Sequence, residues 1–281
     1  MKRFWLQKSI AALAVVCLIA LQMHSQPFEP VSGKEQSVKL AVIMYHGFNS
    51  GGSESTYVLN ASSLESDIVW LKENGFGFVT STDLTDFCDY GKPLPEKCVM
   101  LTFDDGYLNN YAFAYPILKK HNVKVTVSPI AYFSDYHTQN PDPNTSYAHM
   151  TWQQIKEMSD SGLVDIQNHS YNMHSLQNGR KGSARAELES SDDYRLTFFR
   201  DLSHAHDAIK AATGKAPIAY AYPFGSYSPE TRSLLKVYGY RLSFSCREGY
   251  STITRDPDSL WLLRRFNRTP QKNAALLLSD Y

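Results

Sequence analysis

From residue 38 onward, short and nearly unbroken apolar runs alternate with longer segments whose apolar residues recur every three or four positions. Residues 38–44, 76–80, 98–103, 123–127, 163–168, 218–222, 240–245 and 260–264 have strand length and are rich in β-branched or aromatic residues. Between them, residues 62–74 place Leu64, Ile68 and Leu71 on one helical face, with Ser62 and Glu65 spaced as a capping box and Gly75 as a stop. Residues 107–121 read as a helix that Pro116 kinks, and Thr151 with Gln154 caps another that Gly162 ends. A long helix spans about 192–213 up to Gly214, and Ser228-Pro229-Glu230 opens a further one that Gly239 stops. Residues 84–97 read as loop. Residues 134–149, with Pro141, Pro143 and several Asn, read as a long connection suited to the substrate side.

Strands and helices taking turns predict an α/β fold: a distorted (β/α) barrel of seven or eight mostly parallel strands, in a single domain from residue 38 to 281. An open doubly wound sheet is the alternative. In a barrel the strand ends share one face, so His46, Asp104, Asp105, His169 and Gly225, each following a strand, converge on one mouth.

Composition narrows the partners. The 281 residues carry 28 basic and 28 acidic side chains without a Lys/Arg block, which removes the electrostatic case for nucleic acid. Residues 1–25 differ from the rest: Lys2, Arg3 and Lys8 precede an apolar run from Ile10 to Leu21. That is the pattern of a secretory signal, shorter than the ~20 apolar residues of a spanning helix. No clean cleavage pair follows it, so an uncleaved N-terminal membrane anchor is the alternative, and residues 26–37 read as a linker. The protein is therefore expected to be secreted or membrane-anchored outside the cytoplasm. There, Cys88 and Cys98 stand on either side of Pro93 and Pro95 and either bridge or stay thiols, with Cys246 left over.

The chemistry-bearing residues come in two groups. Asp104 and Asp105 close the strand at 98–103; adjacent strand side chains point to opposite sides, so one carboxylate can hold a metal while the other holds a proton. Asp-Asp-Gly is also an ordinary turn. His169 and His174 reach one point if the first ends a strand and the second follows a tight turn, and two imidazoles with a carboxylate form a hydrolytic or oxygenase metal set. His204 and His206 share no helical face and read as surface residues, and His121, His137 and His149 fall in polar connections.

These motifs resemble those of the polysaccharide deacetylases of the NodB-homology type, carbohydrate esterase family 4, from residue 38 to about residue 268. Thr102-Phe103-Asp104-Asp105-Gly106 is similar to the family's first motif, which implies Asp104 as catalytic base and Asp105 as metal ligand. His169-Ser170 through His174 resembles the second, which implies both His as ligands. Ala221-Tyr222-Pro223-Phe224-Gly225 resembles the third, which implies the backbone N–H after Pro223, that of Phe224, as an oxyanion donor; Tyr107 and Tyr222 are candidate aromatics for the wall of a sugar groove.

Two departures stand out. Ala221 occupies the place of an Arg that steadies the base, so Arg264, or its neighbour Arg265, is the candidate replacement. No His follows His206, where the family's general acid usually lies; Met44-Tyr45-His46 instead resembles the poly-N-acetylglucosamine deacetylase branch, which implies His46 as proton donor. The resemblance further implies one divalent metal, zinc first, with cobalt, nickel or iron as alternatives. It implies an acetylated polysaccharide substrate whose N-acetylglucosamine units lose their N-acetyl groups as acetate. An O-acetyl xylan esterase and a catalytically silent polysaccharide-binding barrel are the competing expectations.

Overall fold

In the computed structural model, residues 37–177 and 179–281 are described; the expected signal or anchor, and all of the expected linker but Ser37, lie outside them. Along the chain the strands are β1 (Val38–Tyr45), β2 (Gly47–Asn49), β3 (Val58–Asn60), β4 (Gly77–Phe78), β5 (Cys98–Asp105), β6 (Val125–Pro129), β7 (Val164–Ile166), β8 (Ala219–Ala221), β9 (Leu242–Phe244), β10 (Ser251–Ile253) and β11 (Phe266–Asn267). The helices are α1 (Ala61–Glu73), α2 (Ser81–Tyr90), α3 (Tyr115–His121), α4 (Ala131–Gln139), α5 (Trp152–Asp160), α6 (Ser191–Thr213), α7 (Thr231–Val237) and α8 (Ala274–Leu277). Among the described residues, no helix is long and apolar enough to cross a membrane.

The main sheet runs β10-β1-β5-β6-β7, with β11 on β1 and β4 on β5, and all its pairs are parallel except β10 with β1. Single residues carry the ladder around the remaining gap. The Asn168 N–H reaches Ala219 O at 3.2 Å and its carbonyl accepts the Ala221 N–H at 2.9 Å, which joins the end of β7 to β8. The parallel pair β8-β9 passes it to Leu263, whose N–H reaches Ser243 O at 2.8 Å, and β11 returns it to β1. The circuit is a distorted, mostly parallel barrel, as the alternation of elements predicted.

Strand parity divides the core. Leu40 and Val42, Cys98 and Met100, Ala219 and Ala221, and Leu242 and Phe244 share one apolar cluster inside the ring. The residues between them on β1 and β5, Ala41, Ile43, Tyr45, Val99, Leu101 and Phe103, pack outward with Leu64, Ile68 and Leu71 of α1. Continuing the inward phase past the apolar stretch brings β1 to Met44 and His46 and β5 to Thr102 and Asp104. Polar groups therefore line the C-terminal mouth of an otherwise apolar interior.

Several expectations need correction. Residues 84–97 are not all loop: α2 occupies their start, capped reciprocally by Thr80 and Asp83 and stopped by Gly91 at φ 71°. α1 begins after Asn60 rather than at a Ser62–Glu65 box, and Glu54 accepts from the Asn60 N–H at 2.7 Å and the Ser63 hydroxyl at 2.8 Å. A π-helical turn at Asn110–Ala114 precedes Pro116, whose ring nitrogen cannot donate to the preceding turn. The 134–149 connection is helical through Gln139. No strand spans 260–264 among the described residues; Leu263 makes an isolated bridge, and the last strands are β10 and β11. Cys88 and Cys98 are both free: the Cys88 thiol donates to Thr254 O at 3.3 Å, while Cys98 faces the barrel interior.

Candidate active site

Asp104 reaches the mouth in phase with the inward residues of β5 and is 2% exposed. A carboxylate so deeply buried needs a partner, and Arg265, 0% exposed, supplies it: Nη1 donates to Oδ1 at 2.8 Å. The guanidinium is itself fixed, Nε donating to Ser245 O at 2.9 Å and Nη1 lying 3.4 Å from Thr102 Oγ1. Burial pushes the Asp104 carboxyl up, but Arg265 and then His169 outweigh it and hold it below the usual carboxylate range. Arg265 thus puts a positive charge against Asp104, which Ala221 cannot. Arg264, the expected replacement, is corrected: one residue out of phase, it is exposed, and its Nη1 bonds Glu248 O at 3.2 Å.

Asp105 should by parity face away from the ring. Its φ of 69°, followed by Gly106 at 75°, turns the chain so that its side chain joins Asp104 in the same cavity. That corrects the expectation of two carboxylates on opposite sides. Gly106 is required here, because a Cβ would stand 2.6 Å from the Pro129 side chain and 2.9 Å from its Cα. Asp105 Oδ1 lies 3.4 Å from His169 Nε2 and 3.5 Å from His174 Nε2. Ligand atoms of these three residues all fall within 4.8 Å of one another.

The donor set fits a divalent cation. His169 Nδ1 sits 2.8 Å from Ala221 O, so it donates there and leaves the Nε2 lone pair aimed toward Asp105. Asp105 Oδ1 is buried with no hydrogen-bond partner. Two lone-pair atoms facing each other need a positive charge between them, and ligands at about 2.0–2.2 Å on a tetrahedral ion stand roughly 3.3–3.5 Å apart. Without a cation between them, burial would raise the Asp105 pKa and only protonated rings at His169, then His46 and His174, would hold it below the usual range.

The loop between the two histidines is held from below. Ser170 has φ 80°, its N–H donates to Asn168 Oδ1 at 2.7 Å, and its hydroxyl accepts the Met173 N–H at 3.2 Å. Asp201 of α6 accepts the Tyr171 N–H at 2.8 Å through one oxygen and the Asn172 N–H at 2.7 Å through the other. Both residues lie between the ligands, so this carboxylate sets the span from His169 to His174. Nothing in the sequence near Asp201 marks it; its role is a tertiary contact.

His46, at the end of β1, lines the same cavity of about 650 Å³ as Asp104, Asp105, His169 and His174. Its ring meets Tyr57 edge-on at 4.9 Å, and its carbonyl accepts from Asn110 Nδ2 at 2.7 Å. Burial lowers its pKa, while the Asp105 and Asp104 charges favour its protonated form. Phe224, φ 57°, is 38% exposed and its ring lies 4.3 Å from that of His174; Pro223 and Tyr222 are buried behind it. Tyr107 lines the same cavity. His149 and His137, expected in polar connections, are instead buried, stacked on each other and, at His149, on Phe133.

Residues 91–243 match the family described as polysaccharide deacetylase. A Bacillus subtilis (strain 168) protein named as polysaccharide deacetylase YxkH is 30% identical over 236 residues, covering 84% of this chain and 74% of that protein. The poly-beta-1,6-N-acetyl-D-glucosamine N-deacetylase of Escherichia coli (strain K12) is 26% identical across 76% of this chain but only 34% of its own length. The chain thus spans about a third of that relative. Among solved structures, a de-N-acetylase from Aggregatibacter actinomycetemcomitans superposes with a TM-score of 0.74 at 25% identity, over 86% of this chain and 99% of that one.

Proposed function

Because the chain belongs to the polysaccharide deacetylase family, we propose that it is a metal-dependent hydrolase that removes N-acetyl groups from N-acetylglucosamine units of a surface or cell-wall polysaccharide, outside the cytoplasm. The observation that carries the reading is the orphaned Asp105 oxygen facing two imidazoles, with an Arg-paired carboxylate and a third imidazole in the same cavity. The pattern of residues 1–25 supports the location, and the similarity to the E. coli N-deacetylase supports the substrate.

An acetamide is a poor electrophile and neutral water a poor nucleophile. Asp105, His169 and His174 would hold a divalent cation, which when bound would supply a Lewis acid for the carbonyl and make water more acidic. Asp104, kept ionised by Arg265, takes the proton of the water that adds to the acetyl carbon. Phe224 lines the cavity, and its N–H is the donor assigned to the oxygen on which negative charge develops. His46 delivers a proton to the nitrogen as the C–N bond breaks, and acetate and a free amine leave. A silent barrel loses its motive here, since Arg265 restores the charge that Ala221 lacks.

The test is acetate release from chitooligosaccharides, poly-N-acetylglucosamine, peptidoglycan and acetyl-xylan, with and without chelator. Asp105→Ala and His169→Ala should lose the metal, whereas Asp104→Asn should keep it and release no acetate. Full activity in Asp104→Asn would overturn the assignment of the base, and preference for acetyl-xylan would overturn the N-acetyl reading.

A further inference from the structure

His46 stands one residue past the sheet that delivers it. The pairing of β1 with β5 ends at Tyr45 and Phe103, and its pairing with β11 ends at Met44 and Asn267. A proton donor works only within hydrogen-bond reach of the leaving nitrogen, so the backbone that carries this imidazole has to be fixed by something else. Two adjacent asparagines do it. Asn110, 0% exposed, donates from Nδ2 to the His46 carbonyl at 2.7 Å, and Asn109, 3% exposed, accepts the Phe48 N–H on Oδ1 at 2.9 Å. The Gly47 N–H, on the same peptide as the His46 carbonyl, goes to Tyr57 O at 2.9 Å. The peptide groups on both sides of Gly47 are thus tied down, two of their bonds coming from the segment that follows the Asp pair.

The two amides can face only one way. Asn109 Oδ1 is an acceptor because a backbone N–H points at it, and Asn110 Nδ2 lies 3.2 Å from that same oxygen as well as 2.7 Å from the His46 carbonyl. Both neighbours are acceptors, so the Asn110 nitrogen has to face them. Asn109 Nδ2 donates onward to Thr145 O at 3.0 Å. Asn110 Oδ1 is buried without a partner, a cost that a residue kept for packing alone would not carry. A π-helical turn begins at this residue, the Tyr115 N–H reaching back to the Asn110 carbonyl, and such turns recur at functional sites.

We propose that Asn110, braced by Asn109, is a positioning residue for the proton donor: it sets where the His46 imidazole stands in the cavity and itself meets no substrate. The inference rests on the reading of His46 as that donor. The experiment is a double-mutant cycle on acetate release from the pentasaccharide of N-acetylglucosamine by the metal-loaded full chain, with Asn110→Leu, His46→Ala and the two combined. Asn110→Leu keeps the branched shape and removes the hydrogen-bond donor. It should lower kcat roughly 10- to 100-fold and move KM by less than about 2-fold. Added to His46→Ala it should lower kcat by less than about 2-fold, because a misplaced imidazole and a missing one fail at the same step. Metal content equal to that of the parent shows that the cation ligands of each variant are intact. Should Asn110→Leu not accumulate as folded protein, Asn110→Ala completes the same cycle. A parent-like kcat in the Asn110 variant, or an equal loss with and without His46, overturns the positioning role and leaves the proton donor standing. An unchanged rate in His46→Ala overturns the donor and this inference with it, and a parent that releases no acetate overturns the deacetylase reading as well.

Discussion

Replacing Arg265 by Met gives the sharpest test of how the base is held. The substitution conserves much of the volume of a side chain that is 0% exposed but removes the charge facing Asp104 at 2.8 Å. Leaving one partner of a buried pair alone costs about 3–5 kcal/mol. An independent route gives a similar figure: Asp104 escapes by taking a proton at pH 7, which for an ordinary carboxyl is roughly three pKa units at about 1.4 kcal/mol each. Both routes point to about 4 kcal/mol, and once protonated Asp104 is lost as a base.

For a domain of this size each kcal/mol moves Tm by about 2–4 °C, so Arg265→Met should melt roughly 8–16 °C lower, with no acetate release. The companion is the double variant Arg265→Met/Asp104→Asn, followed by circular dichroism in chelator so that bound metal does not mask the change. Asp104→Asn alone strands a buried guanidinium and should be similarly unstable. The double variant should recover at least about 3 kcal/mol of the summed losses, because removing both charges of a buried pair is nearly neutral. A single variant melting within 2 °C of the parent, or strictly additive losses, would refute the claim that Arg265 is what keeps Asp104 ionised.

Three further outcomes follow from the same geometry. Asp201→Ala frees the Tyr171 and Asn172 N–H groups, and should weaken metal binding about 10- to 100-fold in competition with a chelator. Unchanged affinity would mean that Asn168 and Ser170 hold the loop unaided. His46→Ala should lower kcat by about 10²–10⁴ with metal content unchanged; an unaltered rate would move the proton donor elsewhere. His149 is buried with both ring nitrogens unpartnered, and burial first of all pushes its pKa down to about 4. A depressed folded-state pKa contributes stability above the unfolded value that is lost as pH falls toward the folded one, here from about 6.5 to about 4. The parent should therefore lose roughly 2 kcal/mol between pH 8 and pH 5 that His149→Phe retains. Asp105, His169 and His174 titrate in both proteins, so equal acid slopes in urea melts would count against it.

The strand-end residues were legible because a parallel barrel collects strand termini whatever their distance in sequence. Phase was not. Arg264 and Arg265 are adjacent and chemically identical, and only the register in which Leu263 meets Ser243 and Phe244 decides which one enters the ring. α2 was missed although Thr80, Asp83 and Gly91 mark its ends, because Leu84 and Phe87 are too few apolar residues for a visible stripe. His137 and His149 read as parts of polar connections because their sequence neighbours are polar; the stack of His137 on His149 and of His149 on Phe133 overrides that. Asp201 lay beyond any sequence argument, its partners being two backbone amides of another segment.

Backbone strain explains why the site needs these three motifs rather than strand ends alone. The non-glycine residues at positive φ among those described are Asp105, Asn122, Ser170, Phe224 and Leu262. Asp105 closes the first motif, Ser170 follows the first histidine of the second, and Phe224 follows the proline of the third. A left-handed conformation costs an L-residue about 1–2 kcal/mol, so none is retained without a compensating contact. At Asp105 the turned backbone brings a second carboxylate into a cavity that regular alternation would give only one. At Ser170 it starts the tight loop that folds His174 back beside His169, with Asp201 fixing the far side. At Phe224 it sets an exposed ring against His174 at the rim. A regular barrel mouth would offer Asp104, His46 and His169 in phase; the distorted residues are what add Asp105 and His174, and with them a site for a cation.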